Sequence, residues 1–60
     1  MDAKFELTKD VAGEFRFKLV AENGQTISVS EGYKTKESAL NGIKSVKQNA
    51  AKAVIEDKTV

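Results

Sequence analysis

Sixty residues carrying a net charge of +1, with no cysteine and no histidine, make one small domain and exclude its usual staples, the disulfide and the structural zinc site. Hydrophobic residues at 40% and charged residues at 32% suit a globular rather than a disordered chain. The near-neutral balance gives no electrostatic drive toward nucleic acid or an anionic surface. A chain of this size buries only about 60% of the surface its unfolded form exposes. Below roughly 70–80 residues a single core seldom supplies more than about 3–5 kcal/mol. With the other staples removed, association with a second copy is the expected source of the rest. No apolar stretch approaches the roughly 20 residues of a membrane span, and no N-terminal run reads as a signal peptide. The expected address is therefore cytoplasmic, with no membrane partner and residues 1–60 as a single domain.

From Lys4 to Lys9, Phe5 and Leu7 alternate with Lys4, Glu6 and Thr8. From Glu14 to Val20, Phe15, Phe17 and Leu19 alternate with Glu14, Arg16 and Lys18, and from Gln25 to Ser30, Ile27 and Val29 alternate with Thr26, Ser28 and Ser30. Period-two alternation marks strands with one buried and one wet face, and the short glycine-containing connections predict an antiparallel meander. Directly paired residues share a face, so apolar partners must keep a constant sum of position numbers. A three-residue loop Val11-Ala12-Gly13 pairs Leu7 with Phe17 and Phe5 with Leu19. A loop Glu22-Asn23-Gly24 pairs Leu19 with Ile27 and Phe17 with Val29. Both loops then end in glycine at the left-handed position of a type I turn plus bulge.

Thr35 is placed to cap a helix over about Lys36–Asn49, with Ala39, Ile43, Val46 and Ala50 on one narrow apolar face. Beyond it, Ala53–Asp57 reads as a short strand around Val54 and Ile55. The predicted fold is α+β, in the order β-β-β-α-β. The last strand alone would be a poorly held edge, whereas in a partner's sheet it gains ladder hydrogen bonds and core contacts. Ala53, Val54, Ile55, Glu56 and Asp57 are therefore the candidate dimer interface.

The run Ser30-Glu31-Gly32-Tyr33 with Lys36, Ala39, Asn41-Gly42-Ile43, Ser45-Val46 and Asn49-Ala50 resembles the YegP-like family of small bacterial proteins. So do Phe15-Arg16-Phe17-Lys18-Leu19 followed by Asn23-Gly24, and the ending Ile55-Glu56-Asp57 with Thr59. Leu40 stands where a polar residue is expected, and Ser28 where a small apolar one is commoner. The resemblance implies a fold and no established activity. Family members hold one such unit or two in tandem, two units sharing one sheet with their final strands exchanged. A single-unit chain would reach that state as a homodimer.

Residues that could carry chemistry are few. Ser28, Ser30, Ser38 and Ser45 have no histidine or cysteine to complete a nucleophilic pair, so no enzyme is expected. Glu56 and Asp57 point to opposite faces of the predicted strand. No carboxylate spacing suggests a calcium loop, no glycine spacing a phosphate-binding motif, and no cofactor is implied. Gly42 lies mid-helix at a cost of roughly 1 kcal/mol relative to alanine. With Ser38, Asn41, Ser45 and Asn49 it marks either a close-packed flank or a shallow polar groove for an unidentified small ligand, and packing is the favoured reading. The alternative function is weak nucleic-acid binding through Arg16 and Lys18, with Lys4 beside them, and the helix lysines Lys36, Lys44 and Lys47. Against it, Phe5, Phe15 and Phe17 alternate away from the basic sheet face, where stacking platforms would need them.

Overall fold

Alternating side chains on β1 (Lys4–Lys9) and β2 (Phe15–Val20) zip these strands antiparallel, with Phe5 opposite Leu19 and Leu7 opposite Phe17, as the spacing predicts. The computed structural model describes residues 2–59. β3 (Thr26–Val29) completes a sheet in the order β1-β2-β3, and α1 (Lys36–Ala50) packs on β2. These are three antiparallel strands and one helix, an α+β architecture.

Both turns form as expected. The amide of Asp10 donates to the carbonyl of Glu14, and that of Gly13 to Asp10, at 2.8 and 3.0 Å. In the second turn Ala21 and Gly24 donate to Gln25 and Ala21 at 2.8 and 2.9 Å. Gly13 and Gly24 have φ of 83° and 89°, the left-handed region in which a Cβ is penalised. Space is not the issue, because a Cβ on either glycine would meet no atom within 4 Å. Gly24→Ala is accordingly expected to destabilise the fold by about 1–2 kcal/mol of backbone strain, read as a lower denaturant midpoint. An unchanged midpoint would contradict the turn assignment.

The expected register of the second hairpin holds only at its base. Val20 faces Thr26, but Leu19 then faces Ser28 and Lys18 faces Val29. Two steps along β3 are spent against one along β2, so Ile27 is the extra residue of a β-bulge. The predicted pairs Leu19–Ile27 and Phe17–Val29 are not formed. Instead Ser30 sits across from Phe17, its amide donating to the Phe17 carbonyl at 2.8 Å and its hydroxyl accepting the Phe17 amide at 2.9 Å. The register slips once more before Tyr33, which exchanges both backbone bonds with Phe15 at 2.8 and 2.7 Å. A bulge reverses the parity of everything beyond it, so Val29 lies on the Glu6–Lys18 face.

α1 begins at the predicted cap: the Thr35 hydroxyl accepts the Ser38 amide at 3.0 Å. It runs one residue past Asn49, and the Asn49 carbonyl accepts the amides of Lys52 and Ala53 at the far end. The core is small. Phe17, Val20 and Ala39 are buried, and Ala39 has no exposed surface at all. Tyr33 stacks on Phe17 at 5.9 Å, and Phe5 meets Phe17 edge-on at the same distance. Of the predicted apolar stripe only Ala39 is fully covered. Ile43 is half-buried, while Val46 and Ala50 are exposed.

The predicted C-terminal strand is not formed within one chain. Residues 53–59 have no regular secondary structure, and Val54 and Ile55 are 87% and 96% exposed. A strand exists only against a neighbour that supplies its ladder bonds, and no described segment of this chain stands beside the tail.

Candidate functional site

Three features of the surface bear on function: uncovered apolar side chains, an ion-paired network at one end of the sheet, and the polar flank of the helix.

Uncovered apolar side chains lie on the tail, on the first turn at Val11, on β3 and on the helix. Beside the tail's Val54 and Ile55, Ile27 and Val29 on the bulged strand are 61% and 65% exposed, and Leu40 and Val46 project from the helix. Scattered apolar exposure is ordinary, but here the total area is also high. The chain exposes 5119 Å² at a mass of 6.5 kDa, against about 3800 Å² for a monomeric protein of that mass. Its radius of gyration is 13.1 Å, whereas a compact chain of this length has about 10.4 Å. The excess is what an extended, undocked tail produces.

The network centres on Asp10. One carboxylate oxygen accepts the amides of Ala12 and Glu14 at 3.0 and 2.9 Å, closing the first turn. The other accepts Arg16 Nε at 2.8 Å. Arg16 Nη1 reaches the Ser30 carbonyl at 3.3 Å, and the Ser30 hydroxyl donates to the Glu31 carbonyl at 2.8 Å. Arg16 thus clips the first hairpin to the segment that follows β3, a role its placement on a wet face did not reveal. The guanidinium bond, with the Glu14 and Ala12 amides, holds the Asp10 carboxyl below its ordinary value. A depressed folded-state value means that the stabilisation is complete above about 3.9, the unfolded carboxylate value, and is lost as pH falls through the folded value. Melting temperature is therefore expected to fall below about pH 4, and Asp10→Asn should remove part of that acid dependence. Identical pH profiles for the two proteins in thermal melts would contradict this.

The basic residues of the nucleic-acid reading are not brought together. Lys18 and Lys4 bridge Glu6 at 3.6 and 3.1 Å, as the cross-strand spacing of Glu6 and Lys18 predicts. Arg16 is held by Asp10. All three lie on the sheet face away from α1, and Lys36, Lys44 and Lys47 stand on the helix.

The polar flank is satisfied along the helix itself. Thr35 donates its hydroxyl to Ser38 Oγ at 2.9 Å. Asn49 donates to the carbonyl and hydroxyl oxygens of Ser45 at 2.9 and 3.2 Å. Asn41 is exposed. At Gly42 a Cβ would stand 2.6 Å from the Tyr33 hydroxyl oxygen and 3.2 Å from Phe17 Cε2, so close packing accounts for this glycine. Its bare face lets Tyr33 slide between the helix and Phe17. In the sequence Tyr33 stands only in the connection before the helix. Its one visible signal was the pairing of an aromatic before the helix with a glycine within it.

Comparison with known proteins bears on the identity of this arrangement. A model described as "Domain of unknown function (DUF1508)" matches residues 10–57. The chain belongs to the DUF1508 family. The UPF0339 protein Atu5359 of Agrobacterium fabrum is 54% identical over 56 residues, covering 93% of this chain and 90% of its own length. The UPF0339 protein in the ptx operon 5' region of Stutzerimonas stutzeri is 60% identical over 50 residues, covering 83% of this chain. This chain spans only 45% of that relative. Among solved structures, a protein from Haloferax volcanii determined by NMR superposes with a TM-score of 0.84 at 40% identity, covering 93% of this chain and 95% of its own. The YegP-like resemblance is thus confirmed for the DUF1508 chain, with one correction: the family reaches an archaeal organism and is not confined to bacteria. Among the described residues no helix is long and apolar enough to cross a membrane, and no group of three potential metal-ligating side chains converges.

Proposed function

We propose that this DUF1508 chain works as a homodimeric binding or structural module without catalytic activity, joined by exchange of Ala53–Asp57 between subunits. The observation that carries the reading is the surplus of surface, 5119 Å² where about 3800 Å² is usual for the mass. That surplus of roughly 1300 Å² per chain, about 2600 Å² for two, is on the scale of an obligate homodimer interface, about 2,000–5,000 Å² in total. It coincides with a tail whose two large apolar side chains are almost fully exposed. Among the described residues Phe17, Val20 and Ala39 are buried, and a partner's strand would add to the cover over this small core. Ligand recognition in such a module would fall on surfaces built from both chains.

Amide hydrogen exchange tests the proposal at the tail. Ladder hydrogen bonds in a partner's sheet would protect the amides of Val54–Glu56 in concentrated solution, and dilution would erase that protection. Exchange at the rate of a free peptide at every concentration would sink the exchange model.

A further inference from the structure

We infer that Asn23 is a site of spontaneous deamidation, converting to aspartate and isoaspartate through a cyclic imide closed by the Gly24 nitrogen. This rests on the second hairpin and not on the dimer proposed above. Two of the three asparagines, Asn23 and Asn41, precede a glycine. Glycine favours the reaction, because it has no Cβ to hinder closure of the five-membered ring and its backbone moves most freely. The fold treats the two sites differently. Asn23 and Gly24 form the exposed tip of the second hairpin, and a Cβ built at Gly24 would meet nothing within 4 Å. Asn23 Oδ1 accepts the Gln25 amide at 3.0 Å, which folds the carboxamide back over Gly24 and makes its carbon more electrophilic. Asn23 Nδ2 has only a long contact, 3.4 Å, to the exposed Gln25 Oε1. The main brake is one backbone bond, from the Gly24 amide to the Ala21 carbonyl at 2.9 Å. A single bond in an exposed turn opens at little free-energy cost.

Asn41 is exposed as well, so exposure alone does not separate the two sites. Its neighbour Gly42 lies inside α1, where each amide is tied to the carbonyl four residues back. Freeing that nitrogen means unwinding a turn of helix. Gly42 also lies against Tyr33 and Phe17, so the motion that closes the ring would disturb the core. At Asn23 the step balances without an outside reagent other than water. The Gly24 nitrogen gives up its proton and bonds to the Asn23 side-chain carbon, and the carboxamide nitrogen leaves as ammonia. Water opening the imide at the side-chain carbonyl gives aspartate, and at the main-chain carbonyl isoaspartate. Either product adds a carboxylate beside Glu22 and takes the formal net charge from +1 to neutral, the condition that promotes association and precipitation. Isoaspartate also adds a methylene to the main chain of the loop, disturbing the Ala21–Gln25 and Gly24–Ala21 bonds that close it.

The test incubates the full chain at physiological temperature and mildly alkaline pH, folded and in denaturing urea, and follows its tryptic peptides by mass spectrometry. Cleavage after lysine puts Asn23 in residues 19–34 and Asn41 in residues 37–44, and the mass gain of –OH over –NH₂ marks conversion. In urea the two peptides are expected to convert at similar rates. In the folded protein residues 19–34 should convert at least about tenfold faster than residues 37–44. Asn23→Ser should abolish the acidic shift of the incubated protein on isoelectric focusing, whereas Asn41→Ser should leave it in place. Equal rates for the two peptides in the folded protein would overturn the assignment. So would a peptide 19–34 that converts in urea but stays unchanged when folded.

Discussion

Phe17→Ala is expected to leave most of the protein unfolded at room temperature. Phe17 is 7% exposed and joins the layers of the fold. Phe5 meets its ring edge-on, Tyr33 stacks on it, and Gly42 of the helix lies against it. Truncating a buried phenylalanine costs about 3–5 kcal/mol in lost transfer energy and cavity, as much as a core of this size supplies. Tyr33 would lose its stacking partner, and Gly42 one of the two rings it lies against. Phe17→Leu keeps most of the volume and is expected to stay folded with a reduced melting temperature. Circular dichroism through a urea titration decides the matter. A shift of less than about 1 kcal/mol for Phe17→Ala, below the range for core truncation, would mean that the helix and sheet are held together by something else.

The second large effect is predicted for Val54→Asp combined with Ile55→Asp. Within one chain these side chains are almost fully exposed, so a monomeric account predicts a change within about ±0.5 kcal/mol, as for other surface substitutions. The exchange model predicts otherwise. Adjacent strand residues point to opposite faces, so one of the two enters the dimer core. A large aliphatic side chain contributes about 1.5–3 kcal/mol when buried, and its loss weakens the dimer by about 10- to 10²-fold in dissociation constant. The melting temperature should fall as well, because a dimer's stability depends on protomer concentration. Sedimentation equilibrium of the double variant beside the parent separates the two accounts.

Much of the fold was legible because alternation and turn chemistry agree. Phe5, Leu7, Phe17 and Leu19 pair as their spacing requires, both glycines sit where a left-handed residue is needed, and Thr35 caps the helix. The second hairpin departs from the spacing rule for a specific reason. A constant sum of paired positions assumes an unbroken ladder, and the bulge at Ile27 breaks it. Ser28 and Ser30 then take the core-facing places assigned to Ile27 and Val29. The signal was present in the serine at position 28, which looked out of place for an apolar site. Val20 was missed for the opposite reason: its parity sets it on the wet face, yet it is buried beside Lys4 and Glu6, whose stems can cover an apolar neighbour. The role of Arg16 was hidden too, since its partners Asp10 and Ser30 are brought together only by the folded sheet. For the tail, local sequence could suggest a strand, but a strand needs a neighbour that local sequence does not contain.

The most direct test of the dimeric account is solution mass by light scattering across a dilution series, for the full chain beside one ending at Ala51. The account predicts a particle of twice the 6.5 kDa chain mass for the full chain, dissociating on dilution. The shortened chain should be monomeric or unfolded. A full chain that stays at 6.5 kDa throughout, with the shortened chain equally stable, would contradict the account.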